Sequence, residues 1–182
     1  MGKLLNALDP FLTEFIHNQK IFFVATAMPE GRINLSPKGI DSFRVLDGNR
    51  AIWLNLTGSG NETAAQLLHQ NRITIMFCSF EGPPLILRLY GTARVYHPRD
   101  AEWDELIGNF TQTKGQRQII DVQIETVQTS CGFGVPIMTF QEERTELTRW
   151  AERHPDEKIE EYWAEKNNVS LDGHPTYISE PK

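Results

Sequence analysis

The chain is poor in the residues and patterns that mark the commonest functions. Of its 182 residues only two are cysteine, Cys78 and Cys131. They sit in apolar or glycine-rich, strand-like surroundings without disulfide or metal spacing, so buried free thiols in a reducing compartment are expected. The five histidines, His17, His69, His97, His154 and His174, form no i, i+4 or H-x-H pair, which argues against a metal site. Eighteen Lys and Arg stand against 24 Asp and Glu, a net charge of −6 with no basic stripe, and this argues against a general nucleic-acid binder. No apolar run approaches the ~20 residues that cross a bilayer, and the first residues lack an apolar leader, so a cytoplasmic protein away from membranes is expected. Neither G-x-G-x-x-G nor G-x-x-x-x-G-K-[ST] occurs.

What the chain does contain is a dense succession of strand patterns. Asp9-Pro10 is an N-cap and first-turn pair for a short helix with Phe11, Leu12, Phe15 and Ile16 on its apolar stripe. Residues 21–27 and 33–36, joined through Pro29-Glu30-Gly31, read as one hairpin. Residues 43–45 and 51–56, joined through Asp47-Gly48-Asn49, read as another. A helix at 60–70 precedes the alternating strand RITIMFC (72–78). A longer strand within 82–96 sends Leu85, Leu87, Leu89, Ala93 and Val95 one way and Arg88 and Tyr90 the other, with Gly91 at the expected bulge or bend. A helix after Pro98 and a strand at 119–127 follow. Thr139 and Glu142 have the spacing of a cap for a C-terminal helical segment, 139–167, interrupted at Pro155, and 168–182 reads as an extended tail.

Strands in immediate succession, with helices inserted rather than alternating, predict a mainly β fold with peripheral helices (α+β), an antiparallel barrel closed or nearly so. The length fits one domain over 1–182, and no linker or repeat divides it.

Two strand ends stand out as halves of an anion cradle. INLSPKG (33–39) places Ser36 and Lys38 where one strand stops. TGSGNETAAQLL (57–68) runs from Thr57, Gly58, Ser59 and Gly60 into a helix, and Ser59 with Glu62 has capping-box spacing. First-turn amides without intrahelical acceptors and a partial positive charge suit a phosphate there, with Lys38 supplying full charge if the segments are neighbours.

Four stretches resemble the pyridoxamine 5′-phosphate oxidase-like family of FMN-binding split barrels: SPKG at 36–39, TGSGNETAAQLL running on to RITIMFC, GPPLILRLYG at 82–91 and VQTSCGFGVP at 127–136. The resemblance implies a homodimer of six-stranded antiparallel split barrels, with one FMN in each of two clefts built from both subunits. It puts Lys38 in the place of the basic strand-end residue, Thr57 and Gly58 at backbone contacts, and Asn61, Glu62 and Thr63 in the phosphate-binding turn, where the family often has arginine or lysine. Arg88 matches the strand arginine of the family, serving either the cofactor or an ion pair across the barrel or dimer. Gln128 and Ser130 match polar residues near the flavin ring. Cys131 directly after them reads as a packed, inert thiol. Trp150, Tyr162 and Trp163 either stack on the ring or belong to a core or interface.

The implied function is that of an FMN-dependent oxidoreductase, with NADH or NADPH as the candidate electron donors that a reduction test of the bound flavin would try. The alternative is a non-catalytic flavin-binding or interaction protein. No catalytic acid or base is visible in the sequence. An efficient pyridoxamine 5′-phosphate oxidase is not expected, because the arginine-x-histidine and arginine-leucine-x-proline patterns that help true oxidases hold a second phosphate are missing from residues 139–182.

Overall fold

The computed structural model describes residues 2–179, in which eight strands and five helices form. The strands are β1 (Lys3–Leu5), β2 (Phe22–Thr26), β3 (Asn34–Lys38), β4 (Phe43–Asp47), β5 (Arg50–Leu56), β6 (Arg72–Cys78), β7 (Ile86–Tyr96) and β8 (Gln116–Ser130). The helices are α1 (Pro10–Asn18), α2 (Glu62–His69), α3 (Trp103–Ile107), α4 (Glu146–Arg153) and α5 (Asp156–Lys166).

All the strand pairs are antiparallel, and the sheet runs β3-β2-β6-β7-β8-β5-β4. One long strand organises it. β8 pairs along one edge with β7, and its other edge is shared between β5 at residues 116–123 and β1 at 127–129. The alternation seen in β7 is real: Leu87, Leu89, Ala93 and Val95 are buried, while Arg88 and Tyr90 on the opposite face are partly exposed. Gly91 sits at a register shift, and a Cβ there would stand 1.9 Å from the Gln123 carbonyl oxygen, so the strand crossing requires glycine.

The fold is the mainly β split-barrel type with peripheral helices, but eight strands rather than six join the sheet, and its terminal strands β3 and β4 do not pair with each other. Leu12 and Ile16 of α1 close one end of the core, and Phe22, Phe43, Phe77 and Trp53 form an aromatic group with ring centroids 5.1 Å apart for Phe22–Phe43 and 5.2 Å for Phe43–Phe77. Each such pair contributes roughly 0.5–1.5 kcal/mol beyond its buried area. A second cluster lies under α3, where Trp103, Leu106 and Phe110 cover Ile52, Leu54 and Ile119.

Several local expectations change. Asp9 caps α1 as read, its Oδ1 accepting from the Leu12 amide at 2.8 Å. The Ser59–Glu62 capping box does not form. Asn61 rather than Ser59 is the N-cap of α2, without a side-chain cap bond, and Glu62 Oε1 accepts from the Leu171 amide at 2.9 Å. The C-terminal helical segment begins at Glu146 rather than 139, and 139–145 is irregular with Thr145 as N-cap. The tail is not simply extended: Val169 and Pro175 bridge around a turn, while 180–182 fall outside the described residues. Cys78 is buried, and burial pushes its thiol pKa up, but Cys131 is exposed rather than packed. Among the described residues no helix is long and apolar enough to cross a membrane, and no group of His, Cys, Asp and Glu could hold a metal.

Candidate functional site

The end of β3 and the turn between β5 and α2 face each other across a cleft of about 350 Å³. Eight of the residues expected at an anion site line it: Ser36, Lys38, Thr57, Gly58, Ser59, Asn61, Glu62 and Thr63. They meet because β3 and β5 end at the same side of the barrel, and α2 starts directly after the glycine turn.

The floor holds two cations. Lys38 extends its ammonium over the Trp53 ring, 4.9 Å from the centroid. Burial, and then the neighbouring Arg117, lower its pKa from 10.5 to about 8. Arg117 on β8 is 2% exposed, and burial lowers its pKa to about 10. Its Nη1 donates to the Gly60 carbonyl at 3.0 Å and to Asn167 Oδ1 at 2.8 Å, both neutral acceptors, and its Nε has no partner among the described residues. Neither Lys38 nor Arg117 is in an ion pair with a carboxylate among the described residues. Buried charge without a counter-charge is costly. A bound anion would supply the missing one.

The walls divide into groups that are committed and groups that are available. Thr57 Oγ1 donates to the Gly115 carbonyl at 2.9 Å and accepts from Trp163 Nε1 at 2.8 Å, so this hydroxyl fixes the turn. Thr63 Oγ1 accepts from Asn34 Nδ2 at 3.0 Å, which leaves its proton free to be donated. Asn61 Oδ1 is buried without a partner. Space is open where a Cβ of Gly58 would stand, so a ligand can approach the main chain there. Glu62, the one carboxylate in the lining, is engaged by the Leu171 amide.

Arg88, Gln128 and Ser130 do not join this cleft within the chain. They lie together on the outer face of the β7–β8 pair, where Arg88 Nη1 contacts Ser130 Oγ at 3.3 Å and Tyr90 Oη donates to Gln128 Oε1 at 3.0 Å. Trp150 and Tyr162 pack edge to face at 5.1 Å and, with Leu147, line a shallower neighbouring depression of about 380 Å³ beside Thr57–Ser59.

Sequence reading missed Arg117, Trp53, Leu147 and Asn167. Arg117 had a weak signal, since a guanidinium two residues before the apolar pair Ile119-Ile120 is an unexpected charge at a strand position that the barrel buries. Asn167 had none, because its role depends on where α5 docks.

Residues 8–131 match a family model described as pyridoxamine 5′-phosphate oxidase. A protein of Aspergillus flavus, pyridoxamine 5′-phosphate oxidase family protein ustO, is 36% identical over 188 residues, covering 93% of this chain and 75% of the relative. Among solved structures, HupZ of Group A Streptococcus superposes with a TM-score of 0.53 at 21% identity, over 66% of this chain and 91% of its own. A Clostridium acetobutylicum protein related to general stress protein 26, of the pyridoxinephosphate oxidase family, does so with a TM-score of 0.50 at 18% identity, over 72% and 92%. At those identities the two structures speak for the fold alone.

Proposed function

The chain belongs to the pyridoxamine 5′-phosphate oxidase family, and on that premise we propose that it binds FMN with the phosphate in the β3–β5–α2 cleft and acts as a flavin-dependent oxidoreductase. One observation carries the reading: Lys38 and Arg117 are held in the cleft floor without a carboxylate partner. The residues present fit the group. Lys38 and Arg117 would balance the phosphate charge, the first-turn amides of α2 and the Thr63 hydroxyl would donate to its oxygens, and the open main chain at Gly58 would let it approach. Bound flavin supplies the redox chemistry. The chain's own share is to bind, to orient and to keep water from the charged floor, where Trp53 forms an apolar base under Lys38.

Arg88, Gln128 and Ser130 would act from a second copy of the chain, each barrel offering its β7–β8 face to the other's cleft. The half-exposed polar group they form, followed directly by the exposed Phe133, Ile137 and Met138, supports a homodimer with two composite clefts.

A second reading is a flavin-binding protein with little turnover. It draws on the cleft lining, which contains no histidine and a single carboxylate, Glu62, whose Oε1 accepts from the Leu171 amide of the tail. The absorption spectrum and mass of the co-purifying molecule test the ligand, since FMN, a deazaflavin and haem differ in both. Reduction of bound flavin by NADH or NADPH favours the oxidoreductase, and flavin that stays oxidised with either donor favours the second reading.

A further inference from the structure

Asn167 lies outside the stretch that matches the family model and yet bonds four residues at or beside the cleft. It follows α5 and is 0% exposed. Its Oδ1 accepts from Arg117 Nη1 at 2.8 Å, and its Nδ2 donates to the Gly58 carbonyl at 3.0 Å. Its backbone carbonyl accepts from Asn61 Nδ2 at 3.3 Å and from Thr176 Oγ1 at 2.5 Å. One neutral side chain therefore spans from the buried cation of the floor to the glycine turn of the wall, and its backbone holds the N-cap of α2.

The chemistry of the amide matters. A carboxylate in this place would keep the acceptor for Arg117 but cancel the charge that the anion needs, and it would set an oxygen against the Gly58 carbonyl. An alkyl group would leave the buried Arg117 with the Gly60 carbonyl alone and the half-buried Gly58 carbonyl without its side-chain donor. Only a group that both accepts and donates, without charge, satisfies the two neighbours and leaves the guanidinium's charge available.

We propose that Asn167 is the positioning residue of the anion cradle, so that the segment following β8 is a required wall of the phosphate site. This rests on the reading of the cleft as a phosphate site. Two further contacts run the same way, from Trp163 Nε1 to Thr57 Oγ1 at 2.8 Å and from the Leu171 amide to Glu62 Oε1 at 2.9 Å. The last draws the one lining carboxylate toward the tail. The C-terminal segment thus fixes the cradle at its cation, at its turn and at its acidic residue.

The test compares Asn167→Ala and Asn167→Asp with the wild-type full-length protein in titrations with FMN and with riboflavin, which lacks the phosphate. Asn167→Ala is expected to weaken FMN by about tenfold, the scale of one hydrogen bond to a charged group. Asn167→Asp is expected to weaken it further, with riboflavin affinity unchanged in both. A merely structural role would lower the melting temperature while leaving the FMN-to-riboflavin ratio of the folded protein at its wild-type value, and that result overturns the proposal. If both variants fail to fold, Arg117→Gln takes their place, since it removes the charge that Asn167 positions. An unchanged ratio there overturns the proposal equally.

Thermal protection by inorganic phosphate separates the two levels of the argument. Protection of the wild type and not of Asn167→Asp, without FMN preference, upholds the role of Asn167 and removes the flavin reading. A wild type that neither prefers FMN nor responds to phosphate overturns both.

Discussion

The Lys38 ammonium lies 4.9 Å from the centroid of the Trp53 ring, and that indole is itself set edge-on to Phe22 of the core at 6.0 Å. A cation at the end of an edge strand is thereby held against the aromatic group inside the barrel instead of reaching into water. The ring face attracts it, but with burial and Arg117 both opposing its charge the amine is pushed down to about 8. Its charge is therefore sensitive to mildly alkaline pH.

The pH dependence of binding follows with a definite sign. Below about 8 Lys38 is charged and attracts phosphate, so FMN affinity should fall as pH rises through 8 toward 10, with a proton taken up on binding in that range. The free protein should show the opposite trend. Because the folded-state value lies below the ordinary 10.5, the unfolded chain binds more protons between the two, and the cost of the half-buried ammonium is relieved as pH rises from 8 to 10.5. Titration calorimetry of the wild type and of Lys38→Met checks the first trend, and chemical denaturation of the two free proteins across the same pH range checks the second. The variant should lose the alkaline limb and bind FMN about 1–3 kcal/mol more weakly at pH 7.

Gly91 gives a stability prediction independent of any ligand. Its missing Cβ is the space taken by the Gln123 carbonyl oxygen at the β7–β8 bulge. Gly91→Ala should destabilise by about 1–3 kcal/mol or more, since backbone on both sides must move. Chemical denaturation measures it, and a midpoint equal to that of the wild type would show that the crossing is looser than described.

Much of this architecture was legible because it is local. The β7 alternation, the Gly91 bulge and the Asp9-Pro10 cap depend on residues within one or two turns or pleats, and they form as read. Contacts that join distant parts were not legible. The Ser59–Glu62 spacing is a sound local signal, but Leu171, 109 positions later, donates to the Glu62 carboxylate, and Asn61 is the cap. β1 has three residues, too few for a period, and exists because β8 runs beyond the end of β5 and offers a free edge. The same separation explains the site. Lys38 and the glycine turn were visible at strand ends, whereas Arg117 and Asn167 become parts of a cleft only after β8 and α5 have docked.

The assembly prediction is that the protein is a symmetric homodimer, and that dilution to monomers releases flavin. Analytical ultracentrifugation with detection at the flavin absorbance reads both at once. Arg88→Ala should weaken flavin binding by roughly 1–3 kcal/mol if a second copy brings the guanidinium to the cleft. A monomer that retains FMN tightly would contradict the composite site.

The FMN-loaded protein should not turn over pyridoxamine 5′-phosphate efficiently. The C-terminal segment, which would have to contribute to a second phosphate site, instead places Leu147, Trp150 and Tyr162 beside the cleft and spends Asn167 on Arg117 and Gly58. Loss of two or three charge-assisted contacts at about 1.5–3 kcal/mol each removes useful discrimination for a phosphorylated substrate. A steady-state assay for pyridoxal 5′-phosphate decides it, and saturation at micromolar substrate with ordinary turnover would reveal a second phosphate site elsewhere in the chain.

The most direct measurement of the central claim, that the paired cations of the cleft floor exist to hold a phosphate, is the ratio of FMN to riboflavin affinity in the purified protein at pH 7. The account predicts one FMN per chain and a preference over riboflavin of about tenfold to a hundredfold, the value of one to two charge-assisted contacts. Equal affinity for the two, with Lys38 and Arg117 intact, would contradict it.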